Sequence, residues 1–409
     1  MHMNIRYFHR YPALQSRDFA IQWTGQFVSN AGTQMQIVAL NWQLYELTRS
    51  PYVLALLGAS RVLPIIIFGL ISGTIVDAHN RKKLLIVVQI IQALIAGLVT
   101  MITLNGSATV VNLLLLNAIA LAFYTIDAPA RAALMPQLVP REHFSNAVSL
   151  NVIGYNISTV AGPAIAGFMI AYLGVGSVYA LNTFSFLVLL GALLALHTSG
   201  AIEGPRTKAS IKAIGEGIAF VKSKQIIWST MLLDFFSTFF AEATILLPVF
   251  AKEILHVGPQ ALGLLYAAPF VGATISGVVA SHVGKYIHQG KILLGSVIIY
   301  AIGTIVFGIS TNYVLSIIAL IVIGAGDGMS AVIRNVVRQM NTPDNFRGRM
   351  TSINMIFYTG GPRLGEVEAG IVAGLLGAPL STVIGGFGTI IAVAIMAYGI
   401  PALRNYKQE

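Results

Sequence analysis

The chain has 409 residues, of which 56% are hydrophobic and only 10% charged, where a soluble domain carries roughly 25% charged residues. This excludes a soluble globular protein, because so apolar a surface cannot be kept wet and lipid must cover much of it. There is no cysteine, so disulfides and thiolate metal sites are excluded, and the net charge of +10 needs an explanation from its placement.

Residues 1–18 are polar and basic and read as a cytoplasmic N-terminal segment. The apolar stretch from Phe19 to Leu47 is too long for a signal-peptide core and lacks a small-residue cleavage site. A membrane helix takes about 20 mostly apolar residues. Hydropathy and turn breakers then predict spans near 19–47, 52–76, 84–104, 108–133, 146–173 and 177–197, making an N-terminal six-helix half over 19–197. A polar segment, 198–224, reads as a central cytoplasmic loop. Spans near 226–250, 259–281, 291–309, 312–337, 350–377 and 379–402 form a second half over 225–402, and 403–409 is a cytoplasmic tail. The expected fold is an all-α integral membrane protein of 12 transmembrane helices.

Basic residues fall on one side if the spans alternate. Arg6, Arg10 and Arg17 precede span 1, Arg81, Lys82 and Lys83 follow span 2, and Arg131 and Arg141 follow span 4. Arg206, Lys208, Lys212, Lys222 and Lys224 lie in the centre. Lys285, Lys291, Arg334, Arg338, Arg347, Arg349, Arg404 and Lys407 complete the set. The opposite loops carry only Arg49 and Lys252. The positive-inside rule puts both termini in the cytoplasm of a bacterial inner membrane, and no nucleic acid is expected as partner.

Shifted by 203 positions, the first half matches the second. Arg131 meets Arg334 and Pro140 meets Pro343. Ser149, Asn151, Ile153 and Tyr155 meet Ser352, Asn354, Ile356 and Tyr358, and Gly162, Gly167 and Gly174 meet Gly365, Gly370 and Gly377. Parallel repeats of this kind put a substrate path near the midplane.

Several segments carry a resemblance. Gly73-Thr-Ile-Val-Asp77-Ala-His-Asn-Arg81-Lys82-Lys83 resembles the loop 2–3 signature of the major facilitator superfamily. In the second half Gly277 and Lys285 remain and Ser281 replaces the acid. Gln26-Phe-Val-Ser29-Asn-Ala-Gly32, Leu47-Thr48-Arg-Ser50-Pro51, Asp127-Ala-Pro129-Ala-Arg131 and Arg347-Gly-Arg349-Met resemble the branch of enterobactin exporters and macrolide-efflux proteins. The resemblance implies a drug or siderophore exporter driven by protons. It also implies a cytoplasmic gate of Gly73, Asp77, Arg81 and Lys82, in which Asp77 pairs with Arg131, with Arg334 as the twin of Arg131. One departure is in span 5: Gly162-Pro163-Ala-Ile-Ala-Gly167 stands where the antiporter signature reads Gly-Pro-x-x-Gly-Gly, and Ser158 stands where that signature has a further glycine.

An ionisable group inside a span is a functional candidate by default. Span 7 offers Asp234 and Glu242, which helical spacing would put on one face with Thr238. Span 11 offers Arg363, Glu366 and Glu368, with Arg363 and Glu366 spaced to pair, and span 2 offers Arg61. Glu242, Glu366, Asp234 and Arg363 are the proton-coupling candidates. Asp127 and Asp327 read as gate or packing charges. Gln22, Gln26, Asn30 and Gln34 form a polar stripe on span 1 that cannot face lipid. With Arg61, Asn151, Tyr155, Thr238, Asn354 and Tyr358, its Gln26, Asn30 and Gln34 are cavity or substrate candidates. Interhelical hydrogen bonding is the alternative.

The sequence has no Walker-type loop, so ATP is not expected as energy source. No metal-spaced histidine set and no catalytic constellation stands out, and neither enzyme chemistry nor a cofactor is expected. The reading is a monomeric secondary transporter exporting an amphipathic small molecule in exchange for protons. An importer or uniporter on the same fold, and a transporter-like sensor, are the alternatives.

Overall fold

The computed structural model describes residues 11–201, 211–282, 288–343 and 346–407. Arg6, Arg10, Arg206, Lys208 and Lys285 lie outside the described residues, as do the side chains of Lys212 and Ser281. The apolar runs fold as α1 (Arg17–Thr48), α2 (Pro51–Ala78), α3 (Arg81–Leu104), α4 (Val110–Leu134), α5 (Phe144–Leu173) and α6 (Val175–Ala195). A short α7 (Ile211–Ser223) follows within the segment read as a loop. Next come α8 (Gln225–Phe240), the single turn α9 (Leu247–Val249), α10 (Pro259–His282), α11 (Gln289–Ile309) and α12 (Tyr313–Met340). The chain closes with α13 (Arg347–Leu376), α14 (Ala378–Gly399) and the short α15 (Pro401–Arg404).

Ten described segments are long and apolar enough to cross a bilayer. The remaining long helices are α1, of 32 residues, and α13, of 30. Both have ample length at 1.5 Å per residue. They fall short in apolarity because α1 carries the amide stripe and α13 carries Arg363, Glu366 and Glu368. By length and apolarity, ten of the twelve expected crossings thus qualify among the described residues. The apolar faces are consistent with lipid: α3 exposes Leu94, Leu98, Met101 and Leu104 at steps of three and four residues.

The internal repeat is visible in the helix ends. Val110 and Tyr313, Phe144 and Arg347, and Val175 and Ala378 each open a helix, and each pair lies 203 residues apart. Thr109 and Asn312, the same distance apart, both cap their helix through a side-chain oxygen that accepts backbone N–H groups. Gly174 and Gly377 end α5 and α13 at φ 80° and 88°, with extended ψ, a conformation essentially confined to glycine.

The chain divides into two compact units, one of Met1–Gln43 with Leu63–Ala209, the other of Leu44–Val62 with Ser210–Glu409. In the first, α3 packs on α4 and α6, and α5 on α6, around Phe19, Leu85, Ile126, Leu134, Leu150 and Leu189. In the second, α12 packs on α10 and α11, α11 on α14, and α8 on both α13 and α14. Its core includes Leu233, Leu293, Val297, Ile333, Val337 and Val393.

Span 7 departs from the continuous helix expected over 226–250. α8 stops at Phe240, and after an irregular stretch Thr244–Leu246 forms a 3-10 turn, followed by α9 and a π turn over Phe250–Ile254. Pro248 has no N–H with which to bond the Thr244 carbonyl, which removes one rung of the helical ladder in this segment. Glu242 occupies the irregular stretch, and its Oε1 accepts from the Thr244 backbone N–H at 3.1 Å and from the Thr244 hydroxyl. Asp234, Thr238 and Glu242 therefore do not share one continuous helical face.

Candidate functional site

The second unit holds most of the buried charge. Arg61 and Glu366, 305 residues apart, are 6% and 5% exposed, and Arg61 Nη1 donates to both carboxylate oxygens at 3.1 Å. Arg363, one turn before Glu366 on α13, also donates to Oε1. Its side chain is 34% exposed, so one guanidinium on Glu366 is buried and the other is partly exposed. Close helix approach makes this possible. A Cβ on Gly58 would lie 2.8 Å from that of Glu366, and one on Gly365 would lie 2.6 Å from the Phe239 carbonyl and 2.9 Å from the Glu242 Cβ. Gly365 therefore seats α13 against the end of α8 and brings Glu242 beside the Arg61–Glu366–Arg363 cluster. Ion pairs this buried persist only when the partner charges and their hydrogen bonds are in place.

A second cluster lies on α8 and α12. Arg334 Nη2 is 3.0 Å from Asp234 Oδ1 and 3.3 Å from Asp327 Oδ1, and Nη1 donates to Ser330 Oγ at 2.7 Å. Arg334, Asp234 and Arg338 are buried, whereas the Asp327 side chain is 46% exposed. Arg338 Nη1 stands 4.0 Å from Asp234 Oδ2. Arg334 is thus a buried cation. Its repeat mate Arg131 pairs with Asp127 on its own helix at 2.6 Å. The position equivalent to Asp127 is Ser330, and in the second half the counter-charges come from Asp234 on another helix and from Asp327 on the same one.

Arg131 thus pairs with Asp127 and not with the expected Asp77. Asp77 is exposed, lies on the last turn of α2, and makes no ion pair among the described residues. Asp127, one turn from Arg131 on the same helix and held by Gln89 Nε2 at 2.9 Å, takes the place expected for it. Asn80, not Asp77, caps α3 by accepting from the Lys83 N–H. The basic residues of the motif hold the segment after α6. Arg81 Nη1 donates to the Ala201 carbonyl at 2.9 Å and Lys82 Nζ to that of Leu196 at 2.6 Å. Gly73 is exposed, with open space around it.

The polar stripe of α1 splits in use. Gln26 Nε2 donates to Asn30 Oδ1 at 2.8 Å, while Gln26 Oε1 is buried without a hydrogen-bond partner. Gln34 packs on Gly162 of α5. The interhelical bonds come instead from residues that sequence reading passed over. Gln36 accepts from Asn182, and Gln43 accepts from the Tyr179 hydroxyl at 2.8 Å and donates to Thr103 at 3.2 Å. Asn151 Nδ2 lies 3.1 Å from Met135 Sδ, and Asn354 Oδ1 is buried without a hydrogen-bond partner. Tyr155 and Tyr358 are exposed. Thr238 Oγ1 bonds the Asp234 carbonyl at 2.8 Å and faces Gly361. Phe235 stacks on Phe239 and meets Phe357 edge-on beside it.

Among the described residues, the buried ionic groups outside the Asp127–Arg131 pair all belong to the second unit. The buried polar side chains of the first unit are largely amides, among them Gln22, Gln26, Gln89 and Asn182. Buried ion clusters on membrane-type helices, one beside a broken helix, are functional candidates.

The chain belongs to the major facilitator family described as transmembrane secretion effector, whose model it matches over residues 10–408. It is 23% identical over 393 residues to the enterobactin exporter EntS of Citrobacter koseri, covering 95% of this chain and 93% of that protein. It is 24% identical over 395 residues to the multidrug efflux pump Tap of Mycolicibacterium fortuitum, covering 92% and 94%. Its fold matches the crystal structure of a bacterial homologue of the human lysosomal transporter Spinster, with a TM-score of 0.77 at 14% identity over 96% of this chain and 98% of that one. The protein is a multi-pass membrane transporter with efflux-type relatives.

Proposed function

We propose that this transporter exports an amphipathic small molecule, of the siderophore or macrolide-like drug kind, across the bacterial inner membrane by alternating access in exchange for protons. The observation that carries the reading is the buried Arg61–Glu366–Arg363 cluster with Glu242 at the break after α8. A carboxylate bound by two guanidinium groups and lying next to a second carboxylate can give up an ion pair as it takes a proton. The half-exposed Arg363 provides the entry. Asp234 and Arg334 are a second candidate for coupled charge movement. Gln26, Asn30, Gln34, Asn151, Tyr155, Thr238, Asn354 and Tyr358 are read as the polar and aromatic lining that meets cargo.

All twelve long spans cross the membrane in this reading, with both termini cytoplasmic, and the protein works as a monomer. Gly73, Asp77, Arg81 and Lys82 retain a gating role. Arg81 and Lys82 anchor the segment after α6, and Asp77 is the exposed acid free to engage during the cycle. The relatives' export of a siderophore and of drugs supports the direction and the cargo class.

A deletion strain tests the function. It should retain a compound that the parent secretes, or become more sensitive to an amphipathic drug. Proteoliposomes with an imposed pH gradient test the coupling: transport of that compound should follow the gradient, and transport indifferent to it removes protons from the scheme.

A further inference from the structure

The connection from α4 to α5 departs from the internal repeat. Its Pro140 is kept as Pro343, but Pro136, Val139, Arg141 and Phe144 give way to Gln339, Thr342, Asp344 and Arg347 in the second half. Those four residues of the first half line a pocket of about 260 Å³. Three of them are apolar and the fourth is a base. Their counterparts 203 positions on are polar or charged and include an acid, so the second half lacks this combination of side chains.

The loop around the pocket is held at several points. Two 3-10 turns, Met135–Gln137 and Arg141–His143, stand at its ends, and Pro136 and Pro140 fix φ at two positions. Gln137 Nε2 and Arg81 Nη1 donate to the same Ala201 carbonyl, at 2.8 and 2.9 Å. Asn146, on the first turn of α5, accepts the Ala13 N–H at 3.1 Å. The shared carbonyl brings a second guanidinium to the loop, which adds to a positive field there. Glu142, the acid of the loop, lies 3.8 Å from His143. Arg141 is exposed and makes no ion pair among the described residues.

Beyond the pocket, α5 continues the apolar wall. Phe144, Val148 and Val152 recur every four residues on one helical face and are 36%, 38% and 54% exposed. Ser145, Ser149 and Asn156 form a separate exposed polar row beside them. At 1.5 Å per residue the apolar track runs about 12 Å along the helix. A base at the membrane edge, an apolar pocket and an apolar track leading away from it together match a phosphate headgroup with its acyl chain. Sites for drug-sized ligands take roughly 300–1,000 Å³, so this pocket suits a headgroup rather than a whole cargo molecule.

We propose that the pocket binds an anionic phospholipid of the leaflet on the basic-loop side, with Arg141 as the phosphate ligand and Phe144, Val148 and Val152 as the acyl track. A guanidinium matches two phosphate oxygens at once, and anionic lipid is drawn to basic groups at that surface. The site requires only that the helices cross the membrane. It depends on neither the cargo nor the proton coupling proposed above.

The absence of cysteine allows a local test on the full chain. A fluorophore on Val148→Cys reports lipid at the track, and one on Leu98→Cys of α3 reports bulk lipid. The labelled proteins are reconstituted in phosphatidylcholine vesicles holding a fixed fraction of brominated-chain lipid, either phosphatidylglycerol or phosphatidylcholine. Association read from quenching at Val148→Cys should favour phosphatidylglycerol by about threefold to tenfold, and at Leu98→Cys it should favour neither. Adding Arg141→Gln should bring the Val148→Cys ratio down to that of Leu98→Cys, and Arg141→Lys should retain part of the preference. Arg141 is exposed, so neither substitution removes a buried contact. Equal quenching by the two lipids at Val148→Cys, the same preference at Leu98→Cys, or a preference that survives Arg141→Gln overturns the site. So does a preference abolished by inorganic phosphate at constant ionic strength, which would make it a site for free anions. No substrate is used, so failure to find an exported compound leaves the lipid site standing, and failure of the lipid site leaves the transport reading standing.

Discussion

Replacing Arg61 by Met removes one guanidinium from a carboxylate that is 5% exposed while roughly keeping side-chain volume. Breaking a buried ion pair from one side costs about 3–5 kcal/mol. Glu366 keeps Arg363, so the lower end, about 3 kcal/mol, is expected. For a body of 150–250 residues, 1 kcal/mol moves the melting temperature by roughly 2–4 °C, which makes the loss about 6–12 °C. The assay is thermal unfolding of the purified protein in one detergent, for Arg61→Met, Glu366→Leu and the double variant. The double variant should recover at least half of the summed losses, because the buried Arg61 and Glu366 charges are removed together, only the part-exposed Arg363 loses Glu366, and contacting residues are not additive. Losses that simply add, or an Arg61→Met variant as stable as the parent, would refute the claim that these charges hold each other in the interior.

Asp77→Asn should insert and fold normally yet transport more slowly, measured as retained compound in whole cells; full export by that variant removes Asp77 from the gate. Gly365→Ala places a methyl 2.6 Å from the Phe239 carbonyl, so α13 must move away from α8. It should lose about 1–3 kcal/mol by overpacking and most of its transport, whereas Gly277→Ala, in open space, should be neutral in the same melts. Asp18, ahead of the first predicted span, accepts from the Thr198 N–H at 2.7 Å and the Thr198 hydroxyl at 2.6 Å. Burial pushes its carboxyl up, but the hydrogen bonds from Thr198 and His197 together win and hold it below the ordinary carboxylate range. The folded pKa is depressed, so this stabilisation is complete above the unfolded value of about 3.9 and is lost as pH falls through the folded value. Melts of the parent and Asp18→Asn should differ at neutral pH and converge in strong acid.

Helix placement was readable because glycine, proline and cap residues repeat with the same 203-residue interval as the folded helix starts. Gly174 with Gly377 and Pro140 with Pro343 are the clearest cases. Candidate charges were readable too, since Arg61, Asp234, Glu242, Arg363 and Glu366 stand out in apolar sequence. Their pairing was less so. Nothing in periodicity links Arg61 to Glu366 or Asp234 to Arg334, because packing between helices distant in the chain sets those contacts. The Asp127–Arg131 pair was legible by its four-residue spacing, but the loop motif drew attention to Asp77 instead. The break after Phe240 had its own signals, Pro248 and a Glu-x-Thr at residues 242–244. α7 was marked by Ile211, Ile214, Ile218 and Val221 at steps of three and four, a helical pattern inside a segment read for its charges.

The measurement that bears most directly on the whole account is the profile of compounds retained by a deletion strain carrying either the parent chain or Glu366→Gln. The account predicts that deletion causes a small amphipathic compound to accumulate, that the parent chain clears it, and that Glu366→Gln, made to the same level in the membrane, does not. A deletion strain that retains nothing, or a Glu366→Gln chain that clears the compound as well as the parent, would contradict it.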